Sequence, residues 1–369
     1  MDAAARYLLV GNSVRYLAQS AHAATTAVVA VDAFADVDTR AASVFHERVS
    51  SCTAHALSRA AAAVTGDCSG WIYGAGFEDD PGALSWLARR RPGMLGNDPS
   101  VLHWLAQPRR RFALLEELGI AYPEVMFEAP PAPAAWLAKP PGGCGGSAVR
   151  RASDPVATGP AGYFQRYVNG PLCSLTFAAD GAAIMGIGFN RLMARYPAAG
   201  DFRFAGAIGG LQPSPAVRER MLETARRLTR ALGLRGVNGL DFVLQRGEPL
   251  LLDLNARPPA SLELYETILP RGGCLTHVDA CRGRLPAQPG SDVVRGLRIV
   301  YARRPITVRC VEWPSWVSDC PVPGSSIPAE APLCTVHVEG RTIEAVAGQL
   351  RQHTDSVLRL AGSVHEQAA

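Results

Sequence analysis

The sequence contains almost no lysine. One of its 37 basic residues is a lysine, Lys139, and the other 36 are arginines. In a chain that uses arginine wherever arginine will serve, the one lysine is a candidate for a role that needs a compact charge on a slim stem. The alternative is chance survival on a solvated surface, and the sequence around Lys139 has to decide between the two.

Other features are also scarce, and each absence excludes a class of protein. The formal net charge is only +4, and it is spread along the chain, which argues against nucleic-acid or membrane partners. The N-terminal MDAAARYLLVGNSVR lacks the pattern of a signal peptide, and no apolar run is long enough to span a bilayer. Nine cysteines without a C-x-x-C pair, and eight histidines without an H-x-x-x-H pair, argue against a disulfide framework and a zinc site. We therefore expect a cytoplasmic protein with reduced thiols.

The length and the patterning predict several packed units. A chain of 369 residues that is 48% hydrophobic can form two or three domains. RYLLV, a helical stretch to about Ala24 and TAVVAVDAF form a β-α-β unit that begins an open α/β domain. A linker rich in glycine and proline near residue 95 marks a boundary. We predict domains at 1–96, 97–288 and 289–369. The GNSVR turn has one glycine where a dinucleotide site needs three, so the spacing of Asp32 supports NAD binding only weakly.

The segment GLDFVLQRGEPLLLDLNARPP predicts a hairpin centred on Gly247. Strand alternation puts Asp253, Asn255 and Arg257 on one face, with Asp241 opposite Asp253. Two facing carboxylates repel each other unless a cation lies between them, and these oxygens suit Mg²⁺. The alternative is an ordinary hairpin whose acids point to solvent, but the intervening leucine, phenylalanine and valine residues favour a specific polar face. The guanidinium one step further can hold a transferring phosphoryl group.

The segment WLAKPPGGCGGSAVR places the lone lysine at the end of an apolar strand and before a glycine-rich loop. Such a loop lets backbone N–H groups surround phosphate oxygens and can close as a lid. It is not a Walker A loop, because the lysine precedes the glycines. On its own a glycine-rich turn is most often just a loop. The candidate phosphate-binding residues are Lys139, Gly142, Gly143, Gly145, Gly146 and Ser147.

The segment YFQRYVNGPLCSLTF alternates as a strand, breaks at Asn169-Gly170-Pro171 and resumes. Gln165 could hydrogen-bond a base edge, and the backbone at Val168 could pair with the base. By itself the pattern is equally that of an ordinary strand and turn.

The order of these three motifs resembles the ATP-grasp superfamily of carboxylate–amine ligases. The similarity covers most of the chain, and GLDFVLQRGEPLLLDLNARP is its most specific part. The resemblance implies an α/β (α+β) protein with the ATP-grasp fold, an N-terminal open α/β domain and a small C-terminal α+β extension. GNSVR, VDAFADVD and PLCTVHVEG are similar to a subgroup of predicted ATP-dependent carboligases found among genes of one-carbon metabolism. That subgroup is related to the tyramine–glutamate ligases of methanofuran synthesis.

The resemblance also implies a role for each motif. Lys139 and the loop from Gly142 to Ser147 would hold ATP phosphates, and Gln165 and Val168 would lie at the adenine. Mg²⁺ or Mn²⁺ would bind Asp241, Asp253 and Asn255, and Arg257 would steady the γ-phosphoryl group.

Two positions depart from the family pattern. Asp253 replaces the usual glutamate and is one methylene shorter, so it could limit the site to one metal ion. Leu172 stands where many members place a glutamate on the ribose, which leaves ribose recognition unassigned.

The implied reaction is ATP-dependent amide formation through an acyl phosphate, with Lys139 and Arg257 as catalytic residues and a small-molecule carboxylate and amine as substrates. Glutamate with tyramine or tyrosine is the implied pair. A non-catalytic ATP sensor and a bicarbonate-using ligase remain alternatives, and a homodimer is left open. Arg15, Arg191 and Arg203 are candidates for a substrate carboxylate, while Arg109–Arg111 are expected to be a solvated helix start.

Overall fold

The structure is a computed structural model, and it describes residues 5–61, 67–154, 162–287, 290, 293–309 and 312–366. No helix among these residues is long and apolar enough to cross a membrane. The predicted boundary between residues 288 and 289 lies outside the described residues, and the three domain ranges stay a prediction.

The N-terminal part forms a five-stranded parallel sheet in the order β3-β2-β1-β4-β5. Its central strands are apolar at nearly every position because helices and the rest of the chain cover both faces. The strand order reverses between β1 and β4, which opens a crevice at their carboxyl ends. The expected β-α-β unit is therefore confirmed. The elements are β1 (Arg6–Val10), α1 (Arg15–Ala23), β2 (Ala27–Asp32), α2 (Val37–Ala41), β3 (Phe45–Arg48), α3 (Ala54–Ala61), β4 (Gly70–Tyr73), α4 (Pro81–Arg90) and β5 (Met94–Leu95).

A small four-stranded antiparallel sheet follows, in the order β6-β9-β7-β8. Lys139 is the last residue of one strand and pairs with Tyr163, so the glycine-rich loop leaves from the edge of this sheet. The helix predicted in PRRRFALLEELGI is present and stops before Gly119, which has a φ of 61°. The elements are α5 (Pro99–Leu105), α6 (Pro108–Glu117), β6 (Val125–Met126), a 3₁₀ turn (Pro133–Ala135), β7 (Trp136–Lys139), β8 (Arg150–Arg151) and β9 (Tyr163–Arg166).

The remainder of the chain builds an eight-stranded antiparallel sheet in the order β14-β13-β10-β11-β12-β15-β19-β17. The strands of the predicted C-terminal extension thus continue the sheet of the central domain, and β16 and β18 form a separate pair. The elements are β10 (Leu172–Asp180), β11 (Ile184–Tyr196), a 3₁₀ turn (Pro197–Ala199), β12 (Asp201–Ile208), α7 (Pro215–Leu232), β13 (Arg235–Gln245), β14 (Glu248–Asn255), a 3₁₀ helix (Ala260–Ile268), α8 (Gly272–Cys281), β15 (Val294–Tyr301), β16 (Ile306–Thr307), β17 (Val317–Ser318), β18 (Ser326–Ile327), β19 (Pro332–Gly340) and α9 (Ile343–Glu366).

The long helix α7 shows how the sequence sets these boundaries. Ser214 caps its N-terminus by accepting a hydrogen bond from the Val217 amide, and Gly233 ends it in a left-handed conformation. Met221, Ala225 and other side chains at helical spacing are buried, and the helix packs on β10, β11 and β14. This packing backs the sheet that carries the polar hairpin.

Candidate nucleotide and metal site

A cavity of about 820 Å³ lies where the N-terminal sheet, the small sheet and the β13–β14 hairpin meet. Ligand sites are commonly cavities of this size at domain junctions. The three motifs predicted from the sequence converge on its wall. Its lining includes Lys139, Gly142, Gly143, Gly145, Gly146, Ser147, Gln165, Val168, Asp241, Asp253, Asn255 and Arg257.

The hairpin presents its acids as a cross-strand pair. Asp241 lies opposite Asp253, and the strand register shifts between Asp241 and Phe242, so that Leu252 is left without a partner. The Asn255 amide donates to an Asp241 carboxylate oxygen at 3.0 Å. Burial, followed by the charge of Asp253, raises the pKa of Asp241 to about 7. Desolvation also raises the pKa of Asp253, although this residue lines the cavity. The charges of Arg111 and Lys139 act in the opposite direction.

These donors fit a hard divalent cation. Two carboxylates that resist ionising together become favourable ligands once a cation lies between them. In the described ranges no group of three acidic, histidine or cysteine side chains is placed to hold a metal. A bound ion would therefore rest on Asp241 and Asp253 and take its other ligands from water or substrate oxygens. The Asn255 nitrogen faces Asp241 and its oxygen accepts from Arg257, so Asn255 would have to turn its amide over to add an oxygen ligand.

Arg257 connects the hairpin to the N-terminal domain. It is only 8% exposed, and its Nε donates to Glu78 at 2.7 Å while Nη2 donates to the Asn255 amide oxygen at 3.0 Å. Burial disfavours its charge, but Glu78, Cys144 and Asp253 together keep the Arg257 pKa above its ordinary value. The guanidinium is thus fixed at the cavity wall beside the candidate metal ligands.

The glycine-rich loop is held between two other segments. A Cβ on Gly142 would lie 2.3 Å from the Glu78 carbonyl oxygen, and one on Gly146 would lie 2.4 Å from the Phe202 carbonyl oxygen. Gly145 accepts a backbone hydrogen bond from Phe204 at 2.8 Å. Glycine is required at Gly142 and Gly146 because neighbouring backbone occupies the space of a side chain. The loop thus covers one side of the cavity.

Gln165 has an unusual environment. It is 1% exposed, and neither its Oε1 nor its Nε2 has a hydrogen-bond partner among the described residues. Leaving such groups unpaired costs about 1–3 kcal/mol each. Val168 and Leu172 also line the cavity, and Leu172 offers no carboxylate for a ribose.

The arginines predicted for a substrate carboxylate do not form such a site. Arg203 and Arg191 do not line the cavity, and Arg203 donates to Asp201 at 2.9 and 2.7 Å. Arg15 does line the cavity, but Glu263 and Asp319 already occupy its guanidinium.

Two further predictions concern Arg111 and Asp32. Arg111 is not part of a solvated helix start: it is half-buried, lines the cavity and lowers the pKa of Asp253 by its charge. The Asp32 carboxylate accepts backbone hydrogen bonds from Val14 and Ala35 at 3.2 and 2.6 Å. It therefore shapes two loops, which fits the weak support for NAD binding in the sequence.

Sequence reasoning missed Glu78, Asp36 and Arg111. Glu78 follows β4 in GAGFEDD, and Asp36 follows β2 in VDAFADVD. Glu78 and Asp36 share one sequence signal, which is a carboxylate just after a buried parallel strand, where the loops of an open α/β sheet meet a ligand.

Comparison with known proteins agrees with this geometry. Residues 109–261 match the family model of the ATP-grasp domain. No curated protein matches the sequence. Among solved structures, biotin carboxylase from Campylobacter jejuni in complex with β-γ-ATP is 14% identical, with a TM-score of 0.72 over 93% of this chain and 89% of that chain.

Two further structures cover nearly the whole chain. The biotin carboxylase domain dimer of 2-oxoglutarate carboxylase from Hydrogenobacter thermophilus, in complex with MgADP, ADP and bicarbonate, is 11% identical, with a TM-score of 0.73 over 94% of this chain and 88% of that chain. L-amino acid ligase from Bacillus licheniformis is 12% identical, with a TM-score of 0.70 over 96% of this chain and 98% of that chain.

At these identities the likeness to solved structures shows the fold, which is the mixed α/β ATP-grasp fold predicted from the sequence. Residues 109–261 therefore carry an ATP-grasp domain within this fold.

Proposed function

We propose that the protein is a carboxylate–amine ligase that forms an amide through an acyl phosphate. The observation that carries the proposal is the convergence of the lone lysine, the glycine-rich loop and the Asp241–Asp253 pair on one cavity. These parts come from separate sheets, and their common use is to bind and polarise a nucleoside triphosphate.

Each part has a role in the proposal. The buried, unpaired amide of Gln165 and the backbone at Val168 receive the adenine edge. Lys139 and the glycine-rich loop hold phosphate oxygens, with Lys139 as a compact charge at the cavity wall. Arg257 steadies the transferring phosphoryl group, because Glu78 and Asn255 fix its orientation.

Asp241, Asp253 and Asn255 would hold Mg²⁺ or Mn²⁺. When bound, that ion neutralises phosphate oxygens and the two facing carboxylates.

The reaction has two displacements. A carboxylate oxygen of the substrate forms a bond to the γ-phosphorus while the bond to the bridging oxygen of ADP breaks. The nitrogen of an amine then bonds to the carbonyl carbon, phosphate leaves, and the nitrogen loses a proton. The chain supplies positioning and charge, and the loop keeps water from the acyl phosphate. No side-chain nucleophile is needed.

Glutamate as the carboxylate and tyramine or tyrosine as the amine are the proposed substrates, in the synthesis of a methanofuran-type cofactor. The resemblance of GNSVR, VDAFADVD and PLCTVHVEG supports this choice. A cytoplasmic location and small-molecule partners belong to the same proposal, and a homodimer is compatible with it.

The first test is Mg²⁺-dependent ADP release, measured over pairs of carboxylates and amines that begin with glutamate plus tyramine or tyrosine. Release that requires both members of a pair supports the ligase, and mass spectrometry of the product identifies the amide. Release that needs only a carboxylate, or no amide in the product, contradicts it.

A bicarbonate-using ligase is a second candidate, because two of the similar structures are biotin carboxylases and one of them is a complex with bicarbonate. ADP release that bicarbonate stimulates without an amine would favour it. The chain offers no biotin-acceptor lysine, since its one lysine is Lys139. Tight MgATP binding without ADP release in any mixture would instead favour an ATP sensor.

A further inference from the structure

The cavity has a second polar region, formed by residues other than the candidate nucleotide and metal residues. It is formed by the loops after β1 and β2 together with the 3₁₀ helix and the segment after β17. Its charged lining residues include Arg15, Asp36, Glu263 and Asp319. We call these four residues the acidic end of the cavity.

Two of the acids in this end already have a partner. Arg15, which is 4% exposed, donates to Asp319 at 3.0 and 3.1 Å and to Glu263 at 2.9 Å. Its guanidinium also donates to Gln19 at 3.1 Å. Arg15 therefore has no free face for a substrate carboxylate.

Asp36 is different. It is 6% exposed and lines the cavity, yet no hydrogen bond or ion pair to its carboxylate is found among the described residues. It stands at the N-cap of α2 without capping that helix. A buried carboxylate normally has a partner, because an unpaired one is costly. The position that faces Asp36 across the cavity is where such a partner would lie.

The surrounding charge specifies the sign of that partner. Asp32 and Asp38 are both satisfied by backbone amides, Asp38 by those of Asp319 and Cys320 at 2.7 and 3.1 Å. With Asp36, Glu263 and Asp319 they make five carboxyl groups around one buried guanidinium, and His337 also faces this group with its Nε2 3.8 Å from a Glu263 carboxylate oxygen. Arg48 also lines the cavity, but it is exposed and donates to the Ala33 carbonyl. The excess of acid calls for a cation.

The geometry separates a metal ion from an organic cation. The other carboxylates of this end are already hydrogen-bonded to Arg15 or to backbone amides, so Asp36 lacks the facing carboxylate that a metal ion would have at Asp241 and Asp253. Leu17 and Phe34 line the cavity as well, so an apolar body next to a positive head is accommodated. A primary ammonium group meets both conditions.

We propose that the acidic end of the cavity binds the protonated amino group of a substrate, with Asp36 as its direct partner. This inference rests on the proposed function and adds to it the charge of one substrate. Two sources share this chemistry, a simple amine and the α-ammonium of an amino acid. The simple amine fits better, because an adjacent carboxylate would meet Glu263 and Asp319 while Arg15 is already occupied.

The binding should also move a proton. Burial, followed by the charges of Asp319 and Asp38, raises the pKa of Asp36 to about 8, against the opposing charge of Arg15. Asp36 therefore keeps its proton to a higher pH than a free carboxyl group does, and an ammonium group beside it favours the ionised form. Amine binding at pH 7 should release a proton to the buffer.

The test is calorimetric binding to the full chain without ATP, in two buffers of different ionisation enthalpy. The probes are tyramine and n-hexylamine, their alcohols tyrosol and 1-hexanol, and tyrosine. If the acidic end binds ammonium groups, both amines should bind at least about tenfold tighter than their alcohols and should release a proton at pH 7. EDTA should have no effect, because no metal ion takes part in the binding. Tyrosine that binds as well as tyramine would assign the site to amino acids.

Variants sharpen the test. Asp36→Asn should weaken amine binding at least about tenfold and abolish proton release. Glu47→Gln is a matched control, because it removes one charge from β3 of the same domain, outside the cavity lining. If Asp36→Asn fails to fold, the comparison of amines with alcohols in the unchanged protein still tests whether the cavity recognises an ammonium group.

Equal binding of amines and alcohols, or unchanged amine binding in Asp36→Asn, would overturn the inference. Both outcomes are independent of ATP turnover. If ADP release nevertheless depended on a carboxylate–amine pair, the proposed ligase would still be supported, and only the assignment of this amine site would be wrong.

Discussion

Replacing Asp241 by asparagine should stabilise the ligand-free protein above neutral pH while removing its activity. The folded protein keeps the Asp241 proton up to about pH 7, whereas the unfolded chain loses it near 3.8. Unfolding therefore releases a proton in that window, and the free energy of unfolding falls as the pH rises through it. Asparagine cannot ionise, so the variant escapes this loss.

The size of the effect follows from the two pKa values. A difference of about 3 pH units corresponds to about 4 kcal/mol at 1.36 kcal/mol per unit. Asp241 borders the solvent of the cavity, which screens its charge, so we halve this to about 2 kcal/mol. For a domain of 150–250 residues that is an increase in Tm of about 4–8 °C.

The assay is thermal unfolding of both proteins at pH 5 and pH 8, with and without MgCl₂ and ATP. We expect Asp241→Asn to melt above the unchanged protein at pH 8, to lose most of that difference at pH 5, and to gain nothing from MgATP. Glu117→Gln, an exposed acid at the end of α6, should change neither melting curve. An Asp241→Asn variant that melts at or below the unchanged protein at pH 8 would refute the reasoning.

Three further predictions concern the nucleotide end of the cavity. Lys139→Ala and Asp253→Asn should each reduce ADP release by at least about 100-fold without changing the circular dichroism spectrum, because both remove charge from the site of phosphoryl transfer. Gln165→Leu should raise KM for ATP about tenfold and slightly raise Tm, since it removes two unpaired buried groups. Gly146→Ala should lower kcat/KM for ATP by about 100-fold, because its Cβ would meet the Phe202 backbone. Gly145→Ala is its matched control, with a similar φ and no neighbour within 4 Å.

Each of these predictions has an outcome that contradicts it. A fully active Asp253→Asn would remove the metal assignment. An unchanged KM for ATP in Gln165→Leu would separate that amide from the adenine. Equal losses in the two glycine variants would show that backbone strain, and not the contact with Phe202, limits the loop.

The sequence predicted the strands of the hairpin and the pairing of its two acids. It did not predict the bulge that makes this pairing possible. Alternation and the RGE turn predicted Asp241 opposite Asp253, and the structure confirms the pair. The turn itself is at Arg246–Gly247, both with positive φ, and a regular ladder from it would pair Asp241 with Leu252. The bulge at Leu252 restores the predicted register. A bulge is set by packing in three dimensions, which a linear pattern does not contain.

The arginine predictions show a different limit of the sequence. In a chain with 36 arginines, the side chain that faces a ligand is not distinguished by its residue type. What distinguishes Arg15 from Arg203 is the set of carboxylates around each. Those of Arg15 lie 248 and 304 residues away along the chain. The chemistry of the acidic end is therefore visible only after the chain has folded.

The same separation has a consequence during synthesis. Ribosomes make the N-terminal sheet first, and α1 begins with Arg15, whose partners Glu263 and Asp319 emerge far later. A guanidinium that has no counter-ion opposes burial, so the nascent N-terminal unit should keep this end of α1 hydrated until the segment with Asp319 has left the ribosome. A chain truncated before Asp319 lacks that partner. Burial of this end of α1 is thus coupled to synthesis of a distant segment, and a chain interrupted before it should stay recognisable to proteases and chaperones.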